Sequence, residues 1–218
     1  MPFPAGGTTD TLGRLIGQKL GPALSTIILM DNKGGAGGSI GSEIASRATP
    51  DGLHLAGRHH QPARHQCQPV PKLAYDPIKS FALIVLIGSN PVMLVVAQNS
   101  PFKTLQDVIA IAKAKAKTIT SASAGSGTFQ HLSVELLGFK SRTQLIHVPY
   151  KGSSPAIADV MGGQVEMMFE TTVVTAEHFL SSKLRALAVT SSKRLEGFPN
   201  VPTVAESGAS GLANFEVV

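Results

Sequence analysis

The sequence predicts an α/β fold in which short buried strands alternate with amphipathic helices. Apolar and β-branched runs with the length of strands occupy residues 26–31, 81–88, 92–97, 118–121, 144–148, 165–169 and 184–190. Because most of these runs are continuously apolar, they indicate a sheet that is covered on both faces, with mainly parallel strands. A chain of 218 residues is long enough for two modest lobes that each bury a core.

The helices between these strands are predicted from start signals and from apolar spacing. Thr9 or Asp10 can cap the first helix, and Thr128 precedes a later one. Thr104 and Asp107 have the spacing of a capping box. In the first helix, apolar side chains recur on one face at Leu12, Leu15, Ile16 and Leu20.

A Pro-containing turn at residues 89–91 marks the predicted boundary between two lobes. The first lobe would comprise residues 1–91 and the second lobe residues 92–218. Residues 53–71 do not fit either lobe, because this segment is rich in His and Pro and has no apolar period.

Composition excludes several classes of function. The net charge is +5, but Arg58, Arg64 and Lys72 supply three of those charges in a stretch without acids, and no basic run carries interleaved aromatics. We therefore expect no nucleic-acid binding. Cys67 is the only cysteine, which excludes an internal disulfide. No apolar run approaches the roughly 20 residues of a membrane span, and residues 1–7 contain no secretory signal.

Three loops rich in Gly, Ser and Thr are predicted at junctions between strands and helices. The first loop is residues 4–10, the second loop is residues 34–39, and the third loop is residues 121–128. Ligands of open α/β sheets bind beyond the carboxyl ends of the strands, where helix N-termini favour anions. Glycine-rich turns also occur without any ligand, so the pattern alone leaves both interpretations open.

Five side chains near these loops are further candidates, each with an ordinary alternative. His131 suits a ligand contact or helix-start packing better than catalysis, because no third member of a triad accompanies it. Asp10 is a helix cap or a contact to a ligand hydroxyl or amine. Tyr150 and Lys151 follow a predicted strand, and Lys151 either attracts an acid or is simply solvated. Glu170 ends a strand as a ligand or interdomain candidate.

The motifs of common enzymes are absent. The sequence has no P-loop, no G-x-S-x-G elbow, no H-E-x-x-H and no C-x-x-C. The second loop fails the dinucleotide fingerprint at its last position, which weakens the alternative of a Rossmann-like enzyme that holds a nucleotide there. We expect no enzyme activity, no cofactor and no metal.

The loops and their flanks resemble the substrate-binding proteins of tripartite tricarboxylate transporters, also called the Bug or TctC-like family. The matching stretches include PFPAGGTTD at residues 2–10, SASAGSGTFQHLSVELL at 121–137, HVPYKGSSPAIADVMGGQVEMMF at 147–169 and FPNVPTVAESG at 198–208. Further matches at residues 31–52, 72–84 and 184–194 follow the family order.

The resemblance implies a two-lobed, periplasmic-binding-protein-like fold that closes on a carboxylate like a flytrap. It implies periplasmic localisation and delivery of the ligand to membrane transporter subunits, and we expect a monomer. The family motifs assign ligand contacts to the first loop at Ala5, Gly6, Gly7, Thr8, Thr9 and Asp10. They assign further contacts to the third loop at Ser123, Ala124, Gly125, Ser126, Gly127 and Thr128, together with His131.

The sequence departs from the family in four respects. Phe129 occupies a position where a small polar residue is common, which removes a hydrogen bond or narrows the pocket. Relatives extend beyond both ends of this sequence, so we expect an incomplete first lobe. The alternative to a working binding protein is therefore a fragment of such a protein without activity. A pair of compensating frameshifts would explain residues 53–71. A rival explanation of that segment is a metal site, formed by His59, His60, His65 and Cys67.

Overall fold

The computed structural model describes residues 1–57 and 73–209 and the backbone of residues 216–217. The helices are α1 (Thr8–Ala23), α2 (Ser39–Ser46), α3 (Leu105–Ala114), α4 (Phe129–Ser141), α5 (Ser153–Met161) and α6 (Thr172–Leu180), and a short 3-10 turn at Ala36–Gly38 precedes α2. The strands are β1 (Asn90–Ala97), β2 (Thr120–Ser123), β3 (Ile146–Pro149), β4 (Met167–Thr171), β5 (Leu184–Val189) and β6 (Glu216–Val217).

The strands form one mixed sheet in the order β3-β2-β4-β1-β5, and β6 pairs with the start of β1. Strand β2 is parallel to β3 and β4, whereas β1 is antiparallel to β4, β5 and β6. The predicted α/β class is confirmed, and so is the expectation of mainly parallel strands, because every strand except β1 runs in the same direction. A strand that is buried on both faces is continuously apolar in either direction, so its composition does not reveal its orientation.

Strand β1 lies at the centre of two apolar cores. Val92, Leu94 and Val96 pack on one face with side chains of α3 and α4. Met93 and Val95 pack on the other face with side chains of α5 and β4. Alternate side chains of a strand point to opposite faces, so helices on both sides keep β1 buried along its length. This arrangement confirms the predicted sheet with covered faces.

Two predicted strands are wrong. Residues 26–31 and 81–88 form no strand, and most of their apolar side chains are exposed, for example Leu29 at 85% and Leu83 at 83%. A strand is defined by hydrogen bonds to a neighbouring strand, and neither segment pairs with another strand among the described residues. Apolar composition therefore predicted the wrong local structure where no partner backbone lies alongside.

The helix starts agree with the sequence at α3 and differ at α1. Thr104 and Asp107 form the predicted capping box of α3. The N-cap residue of α1 is Gly7, two residues before Thr9 and three before Asp10, so the predicted caps are wrong. The predicted apolar face of α1 is largely uncovered in the described structure, where Leu15 is exposed.

Residues 58–71 lie outside the described residues, so most of the aberrant segment does too, including the proposed metal ligands His59, His60, His65 and Cys67. Among the residues that are described, no group of three or more His, Cys, Asp or Glu side chains could hold a metal ion. No described helix is long and apolar enough to cross a membrane. The lobe boundary at residue 91 stays a prediction.

Candidate functional site

The carboxyl ends of three strands lie together at one edge of the sheet, which we call the loop edge. Strands β2, β3 and β4 are mutually parallel and end at Ser123, Pro149 and Thr171. Each is followed by a helix, so the N-termini of α4, α5 and α6 are at the same edge. This is the edge where ligands bind in open α/β sheets.

The first loop reaches the loop edge from a distant part of the sequence. Ser154 Oγ, in the first turn of α5, donates a hydrogen bond to the carbonyl oxygen of Ala5 over 2.9 Å. The hydroxyl oxygens of Thr8 and Thr171 lie 2.5 Å apart. The N-terminus of α1 therefore lies beside the C-terminal end of β4 and the N-terminal end of α5.

The second loop packs against the third. A Cβ atom on Gly37 would lie 2.8 Å from the carbonyl oxygen of Ser126, and one on Gly125 would lie 3.5 Å from the Gly37 nitrogen. Gly37 and Gly125 both have positive φ angles, 61° and 136°, which favour glycine. Backbone contact between the two loops thus depends on glycine at both positions. The second loop also follows coil and not a strand, so it lacks the strand-turn-helix context of a nucleotide site.

Three of the helices that start at the loop edge, α1, α4 and α5, begin without side-chain caps. Their N-cap residues are Gly7 for α1, Thr128 for α4 and Gly152 for α5, and none of them accepts a capping hydrogen bond on its side chain. The first N–H groups of a helix have no partner within the helix, and they carry a partial positive charge. Three adjacent helix starts therefore offer hydrogen-bond donors that suit an anion.

Side chains of the third loop stabilise the loop itself. Ser123 Oγ accepts from the Gly125 nitrogen over 3.1 Å, and Thr128 Oγ1 donates to the Gly125 carbonyl over 2.7 Å. Ser123, Ala124, Gly125 and Thr128 are buried, whereas Ser126 is exposed and Gly127 partly exposed. Among the candidates of this loop, only Ser126 and Gly127 are open to a ligand along much of their surface.

His131 is oriented by the third loop. The backbone N–H of Gly127 donates to His131 Nδ1 over 3.0 Å. In neutral His131 the ring proton is therefore on Nε2, 3.6 Å from a carboxylate oxygen of Glu135. The side chain of His131 is 14% exposed, so its accessible surface is small.

Sequence analysis missed His147, which stacks on His131 with ring centroids 3.9 Å apart. His147 Nε2 lies 2.6 Å from Ser123 Oγ. Burial, with a smaller effect of His131, lowers the pKa of His147 to about 4, so the ring is neutral at pH 7. The only available clue was its place in the predicted strand at residues 144–148, three residues ahead of the candidate Tyr150.

Asp10 stabilises the start of α1 from within the first turn. Its Oδ2 atom accepts from the Gly6 backbone N–H over 3.0 Å and from Arg14 Nε over 2.9 Å. The hydrogen bond from Arg14 lowers the pKa of Asp10, and the Gly6 N–H adds to this effect. The carboxylate thus holds the first loop against α1, and Thr9 beside it is buried.

The remaining candidates occupy different environments. The Tyr150 hydroxyl donates to Asp159 Oδ2 over 2.6 Å, and this bond raises the pKa of Tyr150 to about 12. Lys151 is exposed. Glu170 is fully buried with its carboxyl group bonded to protein atoms. The side chain of Phe129, the first residue of α4, is 7% exposed and belongs to the core shared with α3.

Comparison with known proteins identifies the family. The family model for the tripartite tricarboxylate transporter family receptor matches residues 12–218. A curated relative from Pseudomonas sp. strain P51, a UPF0065 protein in the tcbD-tcbE intergenic region, is 36% identical over 218 residues. The match covers 100% of this chain and 64% of that relative, and the chain spans 62% of a second relative from Agrobacterium vitis.

Solved structures agree with this result over almost the whole chain. MatC from Rhodopseudomonas palustris, determined with bound malate, has a TM-score of 0.91 and 31% identity, covering 99% of this chain and 73% of MatC. The periplasmic binding protein BugD has a TM-score of 0.86 and 32% identity, covering 99% of this chain and 72% of BugD. The chain therefore belongs to the receptor family of tripartite tricarboxylate transporters.

Proposed function

We propose that the protein binds a small carboxylated metabolite outside the cytoplasm and delivers it to the membrane subunits of a transporter. The observation that carries this proposal is the convergence of three uncapped helix N-termini on the first and third loops. Backbone N–H groups at such positions bind carboxylates without a cationic side chain. The similarity to MatC with bound malate supports a dicarboxylate as the first ligand to test.

The exposed backbone of the site comes from both predicted lobes. Ala5 and Gly6 of the first loop belong to residues 1–91, whereas Ser126 and Gly127 belong to residues 92–218. A carboxylate that touches both loops would favour a closed arrangement of the lobes, since a ligand shifts the equilibrium toward the state it binds more tightly. This is binding by flytrap closure, and we expect it of a monomer.

The pair of Ser123 and His147 supports binding in preference to covalent catalysis. A serine hydroxyl 2.6 Å from a histidine nitrogen resembles the nucleophile and base of an acyl-transfer enzyme. Ser123 is completely buried, however, and its oxygen already bonds to the Gly125 backbone. We therefore assign this pair to the stability of the third loop and assign no reaction to it.

A thermal-shift screen of the purified chain tests the proposal. Malate is compared with longer dicarboxylates, tricarboxylates, monocarboxylates and uncharged diols of matched length. A ligand at about 100 times its dissociation constant stabilises the folded state by about 2.7 kcal/mol, which raises the unfolding midpoint visibly. A shift with acids and none with diols supports the proposal, and titration calorimetry then gives the affinity. A folded chain that responds to no acid contradicts it.

Gly7→Val tests whether the first loop contacts the ligand. Gly7 has an ordinary extended conformation, with φ −84° and ψ 172°, and an added Cβ meets no protein atom closer than 3.8 Å. The fold should therefore accept valine, while its methyl groups obstruct a ligand at the start of α1. We expect loss of detectable binding with a retained unfolding transition. Gly197→Val, at a glycine with open space around it, is the control and should bind normally.

A further inference from the structure

Glu170 lies beneath the loop edge in a completely buried position. Its Oε1 atom accepts from the Thr171 backbone N–H over 2.8 Å and from the Thr171 hydroxyl over 3.3 Å. Its Oε2 atom accepts from Gln130 Nε2 over 3.2 Å, and Ser153 is a further hydrogen-bond partner of the carboxyl group. The carboxyl group thus links β4, α4 and the first residue of α5.

No charged group compensates Glu170 among the described residues. Its neighbours are Gln130 from α4, Ser153 from α5, Thr171 from β4 and, as its paired residue in β1, Met93. None of these side chains ionises near neutral pH. Burying an unpaired carboxylate is costly, and such a group normally becomes neutral instead. Burial accordingly raises the pKa of Glu170 above its usual value.

The hydrogen bonds indicate where the acid proton is. Oε1 already accepts two bonds from Thr171, so the proton belongs on Oε2, which faces the amide of Gln130. The carbonyl oxygen of that amide is buried and has no hydrogen-bond partner in the part of the chain that the structure describes. Gln130 Nε2 is itself a donor, so a proton on Oε2 is accommodated by turning the Gln130 amide, which brings its carbonyl oxygen to Oε2 as the acceptor.

The other oxygen connects Glu170 to the first loop. A threonine hydroxyl has one proton, and that of Thr171 is donated to Glu170 Oε1. In the contact of 2.5 Å between the hydroxyls of Thr8 and Thr171, Thr8 is then the donor. The chain of hydrogen bonds runs from the first residue of α1 through Thr171 to Glu170.

We propose that Glu170 is a positioning residue of the binding site, an uncharged carboxylic acid that holds the first loop through Thr171 and Thr8 and the start of α5 through Gln130 and Ser153. Glu170 touches no ligand in this arrangement. It fixes the relative position of the starts of α1 and α5, two of the helix starts that we assign to ligand binding. The inference deepens the proposed function, and its effect on affinity rests on that function.

Carbon NMR of the side-chain carboxyl groups tests the protonation state without any ligand. The Glu170 signal is assigned as the one missing from Glu170→Gln. We expect this signal to titrate well above the range of the exposed glutamates, because burial raises the pKa of Glu170 and no cation offsets that effect. A Glu170 signal that titrates near its ordinary value of 4.5 overturns the proposal.

Amide hydrogen exchange of the first loop tests the positioning role. The reporters are the Thr11 amide, bonded to the Gly7 carbonyl, and the Gly6 amide, bonded to Asp10. Thr171→Val removes the linking hydroxyl and should raise their exchange rates by about tenfold, the size expected from one lost buried hydrogen bond. Thr175→Val is the matched control, since Thr175 is also fully buried but bonds only within the start of α6.

Two substitutions of Glu170 separate positioning from packing. Glu170→Gln keeps an uncharged group with one acceptor and one donor end, so loop exchange should stay within about threefold of the wild-type rate. Glu170→Leu keeps the volume, loses both connections, and should speed exchange at Gly6 and Thr11 as much as Thr171→Val does. If Glu170→Leu does not fold, the comparison of Thr171→Val with Thr175→Val decides the question.

Malate titration links the network to binding. Thr171→Val should weaken malate affinity by about tenfold, while Thr175→Val retains it. If wild-type protein binds no carboxylate, the proposed function fails, yet the carbon NMR and exchange results still decide the role of Glu170. If malate binds and Thr171→Val matches Thr175→Val in exchange and affinity, the positioning role fails and the proposed function stands.

Discussion

The two edges of the sheet begin their helices differently. At the edge where β1 ends, α3 starts with a capping box: Thr104 Oγ1 accepts from the Asp107 amide over 3.2 Å, and Asp107 accepts in return from the Thr104 amide over 2.8 Å. At the loop edge, α1, α4 and α5 start at Gly7, Thr128 and Gly152 without a side-chain cap.

This difference indicates how stability and binding are distributed. A side-chain cap typically stabilises a helix by about 1 kcal/mol, so each uncapped start at the loop edge gives up that contribution. The same omission leaves backbone N–H groups free for an external anion. Polar side chains at this edge, such as Thr128 and Ser123, bond to the third loop and not to the helix starts. The polar side chains of the loop edge therefore hold the loops in place and do not cap the helices.

A pair of glycine substitutions gives the largest expected contrast between the two edges. Gly127 is in the third loop, and Gly163 follows the C-terminal end of α5 at the opposite edge. Their φ angles are 80° and 72°, and an added Cβ on either meets no atom within 4 Å. Alanine at either position should cost about 1–2 kcal/mol of stability from left-handed strain.

Only Gly127→Ala should affect binding, because its new methyl group enters the open space beside the exposed third-loop backbone. We expect malate affinity to fall by about tenfold or more, equivalent to at least about 1.4 kcal/mol. Calorimetric titration and urea unfolding of both variants measure the two effects separately. Equal affinities of Gly127→Ala and Gly163→Ala would place the ligand away from the third loop.

A second pair sharpens the comparison of helix starts. Thr104→Ala removes the cap of α3 and should lower the free energy of unfolding by about 1 kcal/mol, with malate affinity unchanged. Thr128→Ala removes the buried bond to the Gly125 carbonyl, which should cost a similar amount of stability, about 1 kcal/mol. It should also weaken binding by about threefold to fivefold, since the third loop becomes less ordered. If Thr104→Ala weakened binding equally, general destabilisation would explain both results.

Much of the fold between residues 90 and 209 could be predicted from local pattern. The apolar run at residues 92–97 is a buried strand, and the capping box at Thr104 begins a helix. These features depend on local chemistry and on burial by neighbouring helices. Residues 26–31 and 81–88 have the same composition, but strand formation depends on a partner backbone that composition does not encode. The antiparallel direction of β1 was hidden for a related reason, because its apolar pattern is the same in both directions.

The positions of the first and third loops could be predicted from the sequence, but the hydrogen bonds that join them to distant residues could not. Clustered glycines marked the first and third loops, since glycine is needed where backbone segments approach closely. The hydrogen bonds from Thr8 to Thr171 and from Ser154 to Ala5 join residues 163 and 149 positions apart, and no local pattern indicates such pairing. His147 was missed because a single histidine in a strand gives no sign of its stacking partner.

The smallest expected difference between the edges concerns acid stability. Burial lowers the pKa of His147 at the loop edge from 6.5 to about 4. Between these two values the unfolded chain binds a proton at this position that the folded chain does not, so the free energy of unfolding rises with pH. At the opposite edge, the Lys103 and Thr104 amides lower the pKa of Asp107 below 3.8. The ionised Asp107 carboxylate therefore stabilises the folded state above that pH, and this stabilisation is lost as the pH falls below it.

The variants His147→Gln and Asp107→Asn separate these two windows. Urea unfolding at a series of pH values should show that His147→Gln flattens the rise in stability between about pH 4 and 6.5, while Asp107→Asn leaves it intact. Asp107→Asn should instead reduce the fall in the free energy of unfolding below pH 3.8. This effect should be small because solvent screens the Asp107 carboxylate. Each variant is the control for the other. A His147→Gln protein that kept the full slope would assign the acid sensitivity to groups outside the stacked histidine pair, and the loop edge would then lose its distinct pH response.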